Sequence, residues 1–307
     1  MTPPRHFVPA EAGRSLVELL VALGIALVLL STALLCVLGA GRHARNQDAS
    51  ARLADDGQLA LALLSSQLRM AGFSLPRVQG PRGVAASHYT GVGVRGCDHG
   101  FVSLTAATAE DLTCATTVGA SAAFSVAHEA DLASTWPGSS GLPTDCIGSQ
   151  IAPRPSELGG TYTLAESRFF VRTNPQTGNP TLYCAGSGGT GFASQPLIDN
   201  LESLSVRWGV AEGGVDPSGL LEGDTGTLRY LSSEELDAAL AHDPRRWTRV
   251  VSAWLCVVLT TPPGAADLPS AHAGCDGALV WPADASQRRI RRSFSLTVQL
   301  RNRGPGA

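Results

Sequence analysis

Residues 19–41 carry no charged side chain, and at 1.5 Å rise per residue they reach about 34 Å, more than the roughly 30 Å hydrocarbon core of a bilayer. The pattern predicts a membrane-spanning helix. A polar stretch follows at 43–50, and then Leu53, Gly57, Ala60, Leu61, Leu64, Leu68 and Ala71 recur at three- and four-residue steps. That spacing is the apolar stripe of a helix lying on a protein surface. Gly72 suits the residue just past a helix C-terminus, and Pro76 confirms that the helix has ended. Gly39 and Gly41 leave both a continuous helix and a local bend open.

Beyond Gly72 the clearest strands are expected at 162–164 with 168–172, at 204–208, at 250–260 and at 294–300. In the last, Phe294, Leu296, Val298 and Leu300 alternate with Ser295, Thr297 and Gln299, which predicts one buried face and one wet face. Residues 250–259 are apolar on both faces, as in a central strand with the long helix on one side and loops on the other. Stretches 138–148, 174–179, 185–190 and 261–277 are rich in Gly, Pro and small residues and read as loops. The predicted fold class is α+β: a long N-terminal α-helix, half transmembrane and half amphipathic, packed on an antiparallel β-sheet head with long loops.

Length makes the head, residues 72–307, one domain, with some room for two. A secretory signal peptide would have a shorter apolar run followed by its cleavage site. Here the candidate cut lies before the apolar run, between Gly13 and Arg14, so residues 1–13 form a leader and 14–41 keep the span, followed by an amphipathic segment at 42–71. Flanking charge fixes no orientation, since Arg5 and Glu11 precede the span while Arg42, His43 and Arg45 follow it. Size supplies one, since about 260 residues follow the span, with cysteines that suggest export. Cys36 lies in the apolar run and reads as a small hydrophobe, whereas Cys97, Cys114, Cys146, Cys184, Cys256 and Cys275 form an even set downstream, as in a disulfide framework of an oxidising compartment. Cysteine arithmetic leaves the pairing open. Sequence proximity and strand-to-loop placement favour Cys97–Cys114, Cys146–Cys184 and Cys256–Cys275.

One charge breaks the N-terminal apolar pattern. Glu18 opens the hydrophobic helix, where a lone carboxylate needs a partner charge, so it is the first candidate for a functional side chain. The bland alternative is a simple anchor with Glu18 at the membrane interface.

The run GRSLVEL at 13–19 resembles the cleavage and methylation motif of type IV prepilins. Later blocks carry the resemblance to the PilW family of minor pilins: ADDGQLA at 54–60 with LRMAGF at 68–73, QPLIDNLESLSVRWG at 195–209, and RIRRSF at 289–294 with LRN at 300–302. Arg14 stands where Phe or Met is usual, and Ser15 where Thr is commoner. The resemblance implies a pilin-like fold and a prepilin peptidase that cuts after Gly13 and methylates the amino group of Arg14. It also implies that Glu18 pairs with the amino terminus of a neighbouring subunit. Expected partners are other minor pilins, the major pilin and the inner membrane. The expected location is the inner membrane with the head in the periplasm, then the pilus and cell surface after assembly.

Enzyme and ligand motifs do not assemble from this sequence. GVGVRG at 91–96 and GSGGTG at 186–191 both satisfy G-x-G-x-x-G, but neither opens a helix in a βαβ unit, so both read as turns. The histidines are scattered, Cys97-Asp98-His99 lacks further metal ligands at useful spacing, and no catalytic residue, metal or cofactor is expected. Arg288, Arg289, Arg291 and Arg292 cluster, yet the formal net charge is -3 and no aromatic residues interleave, so a solvated strand entrance or subunit contact outweighs specific nucleic-acid binding. The leading expectation is a minor pilin acting in initiation or assembly of a type IV pilus, within a priming or tip complex. A minor pseudopilin of a type II secretion system is the nearest alternative, and a membrane-tethered exported enzyme a more distant one.

Overall fold

The computed structural model describes residues 15–79, 84–117, 120–135, 137–189, 191–211, 214–215, 221–222, 229–265, 271–282, 284 and 288–303. Helix α1 runs Leu16–Met70 without interruption at Gly39 or Gly41. Two compact units divide at residue 49, the first holding the apolar part of α1 and the second the rest of the chain.

In the second unit a five-stranded sheet is a simple antiparallel meander of β1 (Val94–Cys97), β2 (Ala123–Glu129), β3 (Leu164–Thr173), β4 (Pro180–Gly186) and β5 (Ala193–Asp199). The chain then turns through Asn200, at φ 61°, into a second antiparallel sheet. Its strands are β6 (Leu201–Val210), β7 (Arg229–Leu231), β8 (Val250–Thr260) and β9 (Arg291–Gln299), in the order β7-β6-β8-β9. A short helix α2, Ser233–Ala239, follows β7 and starts in a capping box formed by Ser232 and Glu235. Asp98 adds two more acceptors there, for the N–H groups of Ser233 and Glu234, at 2.9 Å each.

Both sheets and the second part of α1 share one core. Leu53, Ala60, Leu61, Leu64 and Leu68 of α1 join Phe124 and Phe169 of the first sheet and Trp208, Leu255, Val257 and Leu259 of the second. Each buried large apolar side chain contributes roughly 2 kcal/mol of transfer free energy, so this stripe, rather than helix propensity, holds the segment in place. Trp208 is fully buried, packs edge-on against Phe124 and Trp247, and donates its indole N–H to Ser233 Oγ at 3.1 Å. Gly72, at φ 70°, ends α1 in the left-handed region that a Cβ disfavours.

Several local expectations need correction. Residues 94–96 of the first glycine motif are strand, not turn, and a Cβ on Gly96 would lie 2.6 Å from the Trp208 ring. Residues 185–186, read as loop, complete β4. Tyr162 belongs to a small ribbon with Arg154–Pro155, and β3 begins only at Leu164. Leu296 is 37% exposed although it alternates with Phe294 and Val298, because β9 is an edge strand whose helix cover does not reach every position.

Three disulfides tie loops to strands: Cys97–Cys114 on β1, Cys146–Cys184 on β4 and Cys256–Cys275 on β8. Closing loops of 17, 38 and 19 residues stabilises the head by about 3–4 kcal/mol per bridge in the chain-entropy picture. Cys36 is free and exposed on the apolar helix.

Candidate functional site: the N-terminal helix and its anchorage

Leu16–Val37 is long and apolar enough to cross a membrane, and none of it is buried. Leu16 is 76% exposed and Leu30 71%, a degree of apolar exposure that requires lipid or neighbouring helices as cover. The hydroxyls within the span are already satisfied. Ser31 Oγ donates to the Leu27 carbonyl at 2.6 Å and Thr32 Oγ1 to that of Leu29 at 2.9 Å.

Glu18 is the only Asp, Glu, Lys, Arg or His within that span. It sits in the first turn of α1, where the exposed backbone N–H groups favour negative charge. The helix ladder starts with Leu19 N–H donating to the Ser15 carbonyl at 3.2 Å, so Ser15 and Glu18 have the spacing of a capping box. Gly13 and Arg14 lie outside the described residues.

Distant sequence blocks meet where α1 joins the head. Gly57 faces the ring of Phe294, and a Cβ at that position would overlap it, so the helix approaches β9 as closely as it does only because residue 57 lacks a side chain. Arg291 Nε pairs with Glu202 Oε2 at 2.6 Å, tying β9 to the start of β6 across the sheet. Asn302 Nδ2 donates to the Arg69 carbonyl at 2.9 Å, satisfying one of the carbonyls left open at the end of α1. Post-membrane helix, mid-chain strand and C-terminal strand are thus one mechanical unit.

Other charged side chains also serve structure. Arg168 is fully buried in β3; it binds Glu166 at 2.6 Å, donates to the carbonyls of Leu104 and Ala106, and stacks 3.4 Å from the Phe192 ring centroid. It holds the 98–113 loop that Cys97–Cys114 closes. Sequence reading passed over it as an ordinary strand residue, though an arginine next to Phe169 and Phe170 is a signal for a buried, paired cation. Asp237 similarly joins Arg95 and Arg246, at 2.8 and 2.6 Å. In the basic cluster, Arg289 donates to the Thr261 carbonyl at 2.9 Å and Arg291 is the partner of Glu202. Among the described residues no group of three His, Cys, Asp or Glu could hold a metal ion.

Similarity to known proteins follows the same geometry. No curated protein sequence matches the chain. Among solved structures, the Type IV-like pilin TTHA1219 from Thermus thermophilus shows 12% identity over 82% of this chain and 97% of that one, with a TM-score of 0.37. Residues 168–302, from the buried Arg168 to the helix-capping Asn302, match the family described as Type IV Pilus-assembly protein W. That match, over somewhat less than half of the chain, makes this part of the head similar to the PilW family and supports classification as a PilW-like type IV pilin.

Proposed function

We propose that the chain is a minor pilin that takes part in starting or assembling the type IV pilus, within a priming or tip complex. The observation that carries this reading is an uncovered apolar helix, Leu16–Val37, bearing a single carboxylate at its first turn. Lipid covers such a helix before assembly, and the helices of other minor pilins and the major pilin cover it afterwards. In that dry environment an unpaired Glu18 would cost several kcal/mol, and the amino group of Arg14 on a neighbouring subunit supplies the opposite charge once prepilin peptidase has cut after Gly13. Such pairing fixes the axial stagger between subunits as well as their affinity. A single span with a disulfide-bearing head accords with an inner-membrane protein whose head is periplasmic, and later surface-exposed.

Deletion of the coding sequence, followed by complementation, separates this from the secretion reading. Surface fibres per cell should fall at least about tenfold while secretion of type II substrates stays at the parental level. Lost secretion with normal piliation would reassign the chain to a pseudopilus.

A further inference from the structure

The outer face of the second sheet, opposite the core, forms an open groove of about 820 Å³. Strand alternation builds its floor: Ala253, Leu255 and Val257 point into the core, so Trp254, Cys256 and Val258 point outward, beside Arg207, Ser205 and Ser203 of β6 in register. Ser293, Ser295 and Thr297 continue the same face on β9. The wall is a ribbon of His272–Ala273 paired with Leu279–Val280, pinned to the floor by Cys256–Cys275 and ending in Trp281, which is 69% exposed. A volume of this size lies in the usual range of small-molecule sites, about 300–1,000 Å³.

Its chemistry selects among ligands. Arg291 is paired with Glu202 at 2.6 Å and Arg207 with Glu235 at 3.0 Å, so neither guanidinium is left uncommitted for an anion. The carboxylate of Asp276 accepts the Ala278 N–H at 3.0 Å. An apolar protein segment would strand the floor hydroxyls of Ser203 and Ser205 without partners. His272 Nδ1 is buried with no hydrogen-bond partner. Burial and the nearby Arg291 lower the pKa of His272, which keeps the imidazole neutral near pH 7. What remains is a groove of hydroxyls between two indoles whose electron-rich faces suit weakly positive C–H groups, and its charged lining, Glu202, Asp276 and Asp284 against Arg207 and Arg291, is acidic on balance and so disfavours an anionic ligand.

We propose that this groove is a binding site for a neutral oligosaccharide. The sugar's C–H faces lie against Trp281 and Trp254, and its hydroxyls bond to Ser203, Ser205 and the N–H groups of Arg207 that Glu235 leaves open. This goes beyond a role in pilus assembly and needs no change in it, since the groove shares no residue with the Gly57–Phe294 or Arg69–Asn302 contacts.

The test is titration of the full chain, held in a detergent without a sugar headgroup, with cellopentaose, chitopentaose and a heparin hexasaccharide, followed by tryptophan fluorescence and a wider array of neutral and acidic glycans. At least one neutral oligosaccharide should bind saturably. Trp281→Ala should weaken that binding about tenfold or more, while the exposed Leu132→Ala leaves it unchanged. Ser205→Trp, which fills the floor, should abolish it, and supplies a second variant should Trp281→Ala fail to fold. Absence of any neutral-glycan binding up to about 10 mM, preference for heparin, or affinity untouched by Trp281→Ala in a folded protein would overturn the proposal.

Discussion

Glu18→Ala should leave the amount of this protein in the inner membrane unchanged and remove it from surface fibres. Glu18 is the only Asp, Glu, Lys, Arg or His in Leu16–Val37, so its loss makes the span more apolar. A charged residue at the centre of a span costs about 2.5–3.5 kcal/mol on insertion scales, less near the end, so insertion is retained or eased. The head's contacts with α1 begin at Leu53 and should survive. The loss falls on the helix-to-helix pairing, whose several kcal/mol translate into a drop in fibre-associated protein of at least about tenfold. Glu18→Gln separates two roles. Glutamine keeps the Ser15-to-residue-18 spacing that a capping box requires but carries no charge, so it should behave like alanine in fibre incorporation. Quantitative immunoblots of membranes and sheared fibres check both variants. Normal incorporation of Glu18→Gln would make this side chain a helix cap rather than a charge partner.

The head should lose stability steeply between pH 6.5 and about 4 because of His128. This residue lies in β2 at 3% exposure with neither ring nitrogen hydrogen-bonded, and burial lowers its pKa from 6.5 to about 4, with Asp131 pulling weakly the other way. In the unfolded chain the imidazole takes up a proton at its ordinary pKa, whereas the folded chain resists. Stability is therefore complete above pH 6.5, declines as pH falls through the window, and has lost about 3 kcal/mol from this source near pH 4. Glu166 acts with the opposite sign: its pKa is raised, first by burial and then offset by Arg168, so it favours the folded state as the carboxyl range is entered. His272 has the same sign as His128 but is only partly buried. Urea unfolding of the full chain in detergent, compared with His128→Leu, isolates the term. The gap in stability between the two proteins should close by about 1.4 kcal/mol per pH unit as pH is raised from about 4.5 to 6. Parallel pH profiles would mean that His128 finds a polar partner or titrates normally.

The sequence exposed those features whose signal is local. An apolar run of helical length, a stripe at three- and four-residue steps, a glycine at φ 70° and a strand apolar on both faces each announce themselves within a few residues. Glu18 was legible for the same reason, as one charge against an uncharged background. Strand β2, AFSVAHE, was not, because Ala and Ser carry weak strand preference and the whole segment is buried by neighbours distant in sequence. Strand β5 hid behind Pro196, which an edge strand tolerates at its bulge opposite Tyr183. β1 hid inside a glycine motif whose Gly96 serves the packing of Trp208. The anchorage was the least legible part. Asn302 caps a helix 233 residues away and Phe294 rests on Gly57, so only the fold brings these blocks together.

In the proposed function the apolar helix enters a pilus fibre after processing at its start. Peptide mass spectrometry of sheared, purified surface fibres tests it most directly. The predicted result is this chain among the minor fibre components, with its N-terminal peptide beginning at N-methylated Arg14 and Leu16–Val37 retained. A chain confined to the membrane fraction with residues 1–13 still attached, or one whose mature end lies beyond Gly41, would contradict it.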